Sequence, residues 1–297
     1  MAMYGPQILV RTLTKATTGT GPRKFAHGNQ WQYHSRSDRH SKIACWGLVF
    51  DLMRHCPLLR EQAAAGRVGL GINHEMHDFR NKKKKNLDLV ICTQAPQATS
   101  GGSRAGARKA TDFAGLAAAY GVDLSPQELD ELEKLPKLIL SGVSSVLLAT
   151  EAKAAMTAHQ KARPRLHDEL TSSHQTIHGD NNDAIAAAIV LVNASDTFIS
   201  PDMNEWPLGS IATRVSIHKK GAAALVLEGL QKLQCRSKVG DEGFDAIGAI
   251  VVSCRNDGSD IRLETEAPPA PAPSTDFDYS RFVRRLAQLY ATRFAKV

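Results

Sequence analysis

Apolar and polar positions along this chain separate short, strongly apolar strands from amphipathic helical stretches. From about Ser37 the apolar positions Ile43, Trp46, Leu48 with Val49, and Leu52 recur at helical spacing until Pro57, which predicts a helix capped by Ser37. RVGLGIN (67–73) reads as a strand, HEMHDFRNKKKK (74–85) as a polar excursion, and LDLVIC (87–92) as the returning strand. Residues 94–110 form a Gly/Ser/Ala-rich basic loop, and GTGPRKFAHGN (19–29) reads as another. Helices are predicted from Asp112 to Tyr120 and from Ser125 to Leu140, the second opening Ser-Pro-Gln-Glu as a capped helix does. VLLATEAK (146–153) is the next strand. A helix follows over Ala154 to His174, with a restart at Pro164, then the strand AIVLVN (188–193), a helix over Lys220 to Gln234 and a strand over Ala246 to Ser253.

That order predicts an α/β fold with a central mixed β-sheet flanked by helices, carrying a helical insertion and a C-terminal helix. The expected organisation is a basic N-terminal extension (1–36), a central domain (37–263) with the insertion at about 94–141, a Pro-rich linker (264–278) and a basic terminal helix (279–297). That last helix places Phe282, Leu286, Leu289 and Tyr290 on one side. Its arginines suit either a docking surface or the outer face of a packed core helix.

Composition narrows the class. The 297 residues are 42% hydrophobic and 23% charged, ordinary globular usage, and no apolar run is long enough to span a bilayer. A cytoplasmic protein with no membrane association is expected. Five cysteines with no metal-knuckle or redox spacing read as reduced and structural. The net charge of +7 permits a polyanionic partner without requiring one.

The candidate chemistry lies in two of the strands. Successive strand side chains point to opposite faces, so Glu151 and Lys153 share a side. Asp88 is the one carboxylate set into LDLVIC, where it is costly unless paired or bound to a cation. Two such acids hold a hard divalent cation, and the lysine orients or deprotonates a water or neutralises a phosphorane-like transition state. The plainer alternative is a strand-end ion pair plus a turn acid.

Asp88, the Glu151-x-Lys153 pair, their placement at strand ends and the order of elements resemble the PD-(D/E)xK, or restriction-endonuclease-like, nuclease superfamily. Its core is a helix, a three-strand meander, a helix and a further strand. Leu87 stands where the family motif has proline, and the long connection from Asp88 to Glu151 requires the 94–141 insertion to project from the meander. The resemblance implies a Mg²⁺-dependent endonuclease, with Mn²⁺ as a substitute, acting on DNA, duplex before single-stranded. It implies Asp88 and Glu151 as metal ligands with Lys153 catalytic, and most often a restriction or phage-defence role. Cutting both strands at once makes a homodimer a candidate, alongside a defence-system partner protein. The rivals are a catalytically silent member that binds nucleic acid or a partner, and a zinc hydrolase.

Several further residues are candidates around that centre. Glu75 is expected as an additional metal ligand, or, with His74, His77 and Asp78, as part of a transition-metal site. Lys82, Lys83, Lys84 and Lys85 are expected at a hairpin tip that contacts phosphates, as are His159, Lys161, Arg163 and Arg165 on the helix after the motif. Asp38 and His40 are expected to support the centre from the first helix.

Overall fold

The computed structural model describes residues 2–18, 27–79, 81–95 and 110–297. Most of the two predicted basic loops, at 19–26 and 96–109, and Arg80 lie outside the described residues. In chain order the elements are α1 (Gly5–Thr14), β1 (Thr17–Thr18), β2 (Gln30–Trp31), α2 (Arg39–His55), α3 (Pro57–Ala64), β3 (Val68–Asp78), β4 (Lys83–Gln94), α4 (Phe113–Tyr120), α5 (Pro126–Glu133) and β5 (Val143–Ala155). They continue with α6 (His159–Asp180), β6 (Ile185–Asn193), β7 (Thr197–Phe198), β8 (Ser216–Ile217), α7 (Ala222–Leu230), β9 (Ala246–Ser253), β10 (Arg262–Leu263) and α8 (Tyr279–Arg293).

Six strands form one mixed sheet in the order β10-β9-β6-β5-β4-β3. The meander β3-β4-β5 is antiparallel, whereas β5, β6 and β9 run parallel, as a crossover through a helix requires. β6 is buried at every position, because helices cover both faces of a central strand. Ile185, Ala187, Ile189 and Leu191 join the core beneath α2 and α8, while Ala186, Ala188, Val190 and Val192 join the core beneath α6 and α7. The molecule is an α/β protein whose sheet lies between two helical layers. With α3 following α2, and α4 and α5 inside the β4–β5 connection, the elements α2, β3, β4, β5, α6 and β6 follow the helix, meander, helix and strand order expected above.

Both chain ends belong to this core. The expected extension 1–36 contains α1, whose Ile8 and Leu9 are fully buried and whose start crosses α2 where a Cβ on Gly47 would lie 2.9 Å from Gly5 Cα. Asp51, buried in α2, accepts the Tyr4 amide at 2.9 Å and the Gly5 amide at 2.7 Å, so a carboxylate satisfies orphan donors at the α1 N-terminus. At the other end, Phe282, Val283, Leu286 and Tyr290 of α8 are all fully buried. Of the two readings of the terminal helix, the packed one holds.

The described part of the insertion, 110–141, folds back onto the domain instead of projecting from it. Phe113 stacks on Trp46 of α2 at 4.7 Å between ring centroids, and the Trp46 indole donates to the Phe113 carbonyl at 3.1 Å. Within it α5 carries the full capping box of Ser125 and Glu128, and Glu128 is paired with Arg11 of α1. The polar excursion 74–85 is also regular: it extends β3 and β4 outward as a hairpin, with Asp78 opposite Lys83. Pro164, the sixth residue of α6, lies inside the helix without interrupting it.

Candidate active site

The sheet splits at the level of the two acids. β4 and β5 pair from Gln94–Val143 down to Leu89–Thr150. Past that rung β4 stays with β3 from Leu87 to Lys83, and β5 stays with β6 from Glu151 to Ala155. Continued by one residue, the β4–β5 register sets Asp88 opposite Glu151. The β3–β4 register skips the Asn73–Asp88 position, where Asn73 takes a left-handed φ of 49°. The outer hairpin thus bends away from β5 at the residue that carries the carboxylate, and a wedge opens between them.

Glu151 lies at the floor of this wedge, its side chain 3% exposed. Its Oε1 lies 2.7 Å from Lys153 Nζ and 3.7 Å from Lys85 Nζ, and its Oε2 is buried with no hydrogen-bond partner. Asp88 Oδ2 accepts the Ala152 amide at 2.9 Å. Burial, reinforced by the neighbouring Glu151 charge, pushes the Asp88 carboxyl up to about 6, against the opposing pull of the Ala152 amide, Lys153 and Ser41. Burial works against the charge on Lys153, but Glu151, Glu169 and Asp88 outweigh it and raise its pKa above the ordinary lysine value. Lys153 is therefore a fixed cation, which favours its role as a stabiliser of negative charge over that of a proton acceptor.

Glu169 of α6 also belongs to the centre. Its Oε2 is 3.3 Å from Lys153 Nζ and its Oε1 takes Arg165 Nε at 2.6 Å, so the carboxylates and cations form a chain Glu151–Lys153–Glu169–Arg165. On the other side, His40 at the start of α2 is kept neutral: burial first, then Lys153, lower its pKa to about 4.

The residues present fit a divalent cation. A buried, unpartnered carboxylate oxygen and a second carboxyl whose proton is held by burial and by the charge of the first both call for positive charge between them. Among the described residues no group of three or more His, Cys, Asp or Glu side chains gathers as a ready-made metal cage. Two carboxylates suit a hard oxygen-bound cation such as Mg²⁺.

Other expected residues fall elsewhere. Glu75 does not join the acids: it is half-exposed on the outer hairpin, bonded to His77 at 2.6 Å and paired with Lys84 at 3.3 Å. Because 74–78 is strand, His77 shares a face with Glu75 and not with His74, while Asp78 is buried under the turn, accepting the Asn81 amide at 3.0 Å. The four residues of the supposed transition-metal site thus diverge. Lys82 is exposed at the turn, Lys83 reaches Gln175 of α6 at 3.4 Å, and Lys84 faces outward. Lys85 turns inward, donating to the Glu169 carbonyl at 2.7 Å.

On α6, His159 is not a surface base: it is buried, bonds the Asn193 carbonyl at 2.8 Å and meets His218 edge-on at 4.5 Å. Arg163 lies against α7 near Gly229, its Nε buried without a partner. Lys161 and Arg165 remain exposed. Asp38 precedes α2 and pairs with Lys42 at 2.9 Å, a helix-start role.

Of the residues expected from the sequence, Asp88, Glu151 and Lys153 come together here with His40 nearby, while Glu169 was not among them, because alternation on β5 says nothing of another element. No helix among the described residues is long and apolar enough to cross a membrane. No protein-family model, curated protein or solved structure matches the chain.

Proposed function

We propose that the chain is a metal-dependent nuclease that hydrolyses phosphodiester bonds in DNA. The observation that carries the reading is the wedge between β4 and β5, lined by Asp88 and Glu151, with one oxygen of Glu151 buried and unpartnered and the Lys153 ammonium 2.7 Å from the other. Asp88 and Glu151 hold Mg²⁺ or Mn²⁺, which when bound supplies Lewis acidity at the phosphate. Lys153, charged across the neutral range, faces the negative charge that builds on the phosphorus oxygens. Glu169 keeps Lys153 extended between two carboxylates, and Arg165 borders the wedge where the backbone of a bound strand would pass. The order α2-β3-β4-β5-α6-β6 adds weight, since it is the one expected of the PD-(D/E)xK superfamily.

A role in restriction or phage defence is the biological setting this reading favours, with duplex DNA as the first substrate to try. The direct test incubates the purified protein with circular duplex and with single-stranded DNA in Mg²⁺, in Mn²⁺ and in chelator. Cleavage that needs the metal and disappears in Asp88→Ala, Glu151→Ala and Lys153→Ala is expected. Full cleavage in any of the three variants, or in chelator, removes the assignment.

A further inference from the structure

Three consecutive lysines open β4, and they do not have the same surroundings. Lys84 is 62% exposed on the outer face, beside Glu75, whereas Lys85 is 18% exposed and points into the wedge. There its ammonium donates to the Glu169 carbonyl at 2.7 Å and lies 3.7 Å from Glu151 Oε1, beyond hydrogen-bond length. An ammonium carries three donors, so most of the donor capacity of Lys85 is unspent. Glu151 Oε1 is already taken at short range by Lys153. A lysine drawn out of water into such a position needs an acceptor that the protein supplies only in part.

We infer that Lys85 and Lys153 together form a phosphate subsite inside the wedge, in which Lys85 contacts a phosphodiester of the bound nucleic acid. This rests on the nuclease reading and deepens it. The charges lining the wedge support it: the carboxylates Asp88, Glu151 and Glu169 are matched in number by Lys85, Lys153 and Arg165. With a divalent cation between Asp88 and Glu151, a surplus of two positive charges remains. A phosphodiester monoanion and the further negative charge that develops during attack balance that surplus. Without Lys85 only half of it is left. Position supports it too, because Lys85 and Lys153 approach the same Glu151 oxygen, at 3.7 and 2.7 Å, so a phosphate held by both lysines lies beside that acid.

The test compares Lys85→Met, Lys85→Gln and Lys85→Arg with wild type, using a short labelled duplex. Two quantities are read: single-turnover cleavage in Mg²⁺, and duplex affinity in chelator over a range of salt. For Lys85→Met, cleavage is expected to fall about 10²-fold or more. Its affinity in chelator should lose about one phosphate contact's worth of salt dependence, which Lys85→Arg restores. Should Lys85→Met lower the melting temperature sharply, Lys85→Gln decides, because its amide still donates to the Glu169 carbonyl without the charge. A salt dependence equal to wild type in the folded charge-removing variant, or cleavage at the wild-type rate, overturns the subsite. Failure of the parent reading looks different: Asp88→Ala and Glu151→Ala then leave cleavage unchanged, whereas the chelator arm still reports whether Lys85 touches phosphate.

Discussion

The Asp88 carboxylate accepts the Ala152 amide at 2.9 Å, so a side chain occupies the place that a β4 carbonyl would fill if the β4–β5 ladder continued. The acid is thereby both the last fastening of the two strands and the first group of the wedge. Its burial beside Glu151 has a cost that a cation, a proton or an amide relieves.

The first prediction follows from the sign of that cost. Asp88 has a folded pKa of about 6, above its unfolded value near 3.9, so the folded state holds the proton more tightly. Its contribution to stability is therefore fully present below about pH 4 and is lost as pH rises toward and through 6. In chelator at pH 7.5, Asp88→Asn should be more stable than wild type by on the order of 2 kcal/mol. Paired chelator melts at pH 4.5 and 7.5 check it, because the variant should lack this part of the wild-type pH dependence. A less stable variant at pH 7.5 would contradict the burial argument.

Lys153 yields a second prediction. As a permanently charged group it should be replaceable by arginine with partial retention of cleavage, whereas Lys153→Met should lose about 10²-fold or more in single-turnover rate. Duplex affinity in chelator should change far less than the rate in either variant. Equal losses in Lys153→Arg and Lys153→Met would indicate that the ammonium donates or accepts a proton in a way the guanidinium cannot.

A third concerns the base of the sheet, remote from the wedge. Asp245, 1% exposed, is bonded to Arg236 at 2.9 Å and Arg293 at 2.5 Å, with His178 3.6 Å away, tying β9 to the ends of α6 and α8. Burial alone would raise its pKa, but nearby His178 and the bonds from Arg236, Arg293 and the Ala186 amide hold it well below the usual carboxylate range. A depressed acid stabilises above its unfolded pKa, and that stability is lost as pH falls below about 4. Asp245→Ala leaves two buried guanidinium groups without their anion and should cost about 3–5 kcal/mol at neutral pH. A denaturant titration measures it.

The same region explains why the terminal helix is no appendage. A Cβ on Gly248 of β9 would lie 2.7 Å from Phe282 Cδ1, so the ring of α8 rests directly on the strand backbone. Phe282→Ala should cost about 3–5 kcal/mol, and a chain ending at residue 278 should fail to fold. Circular dichroism and melting of both proteins check this; a truncated chain with native stability would restore the helix to the status of a separate unit.

What the sequence reveals about this fold depends on whether a pattern is local. Ala246–Ser253 matches its predicted bounds because an uninterrupted apolar run between polar segments has one solution in a sandwiched sheet. Glu151 and Lys153 were legible as a pair because alternation on a strand puts them on one face, and Asp88 as the lone carboxylate of an apolar run. His159 was not, since a polar residue in a polar segment gives no sign that Asn193 and His218 enclose it. Lys85 could not be told from Lys84 inside a run of identical residues. Glu169 depends on which turn of α6 passes over β5, a property of helix crossing that periodicity does not contain.

The last prediction separates binding from chemistry on the hairpin. Lys82 stands exposed at the turn with φ 54°, and Lys83 next to it is exposed with only a 3.4 Å bond to Gln175. Charges placed so far out, beyond the point where β4 leaves β5, can meet phosphates along a duplex without approaching the acid pair. Each should contribute affinity without sequence preference, so Lys82→Ala and Lys83→Ala should weaken duplex binding alike across sequences and each reduce the salt slope by about one. At saturating protein the cleavage rate should be unchanged in both. Binding isotherms at several salt concentrations on two unrelated duplexes, followed by single-turnover cleavage, provide the measurement. A fall in the saturated rate would mean that the tip orients the scissile bond; loss of affinity for one duplex only would mean that these lysines read bases.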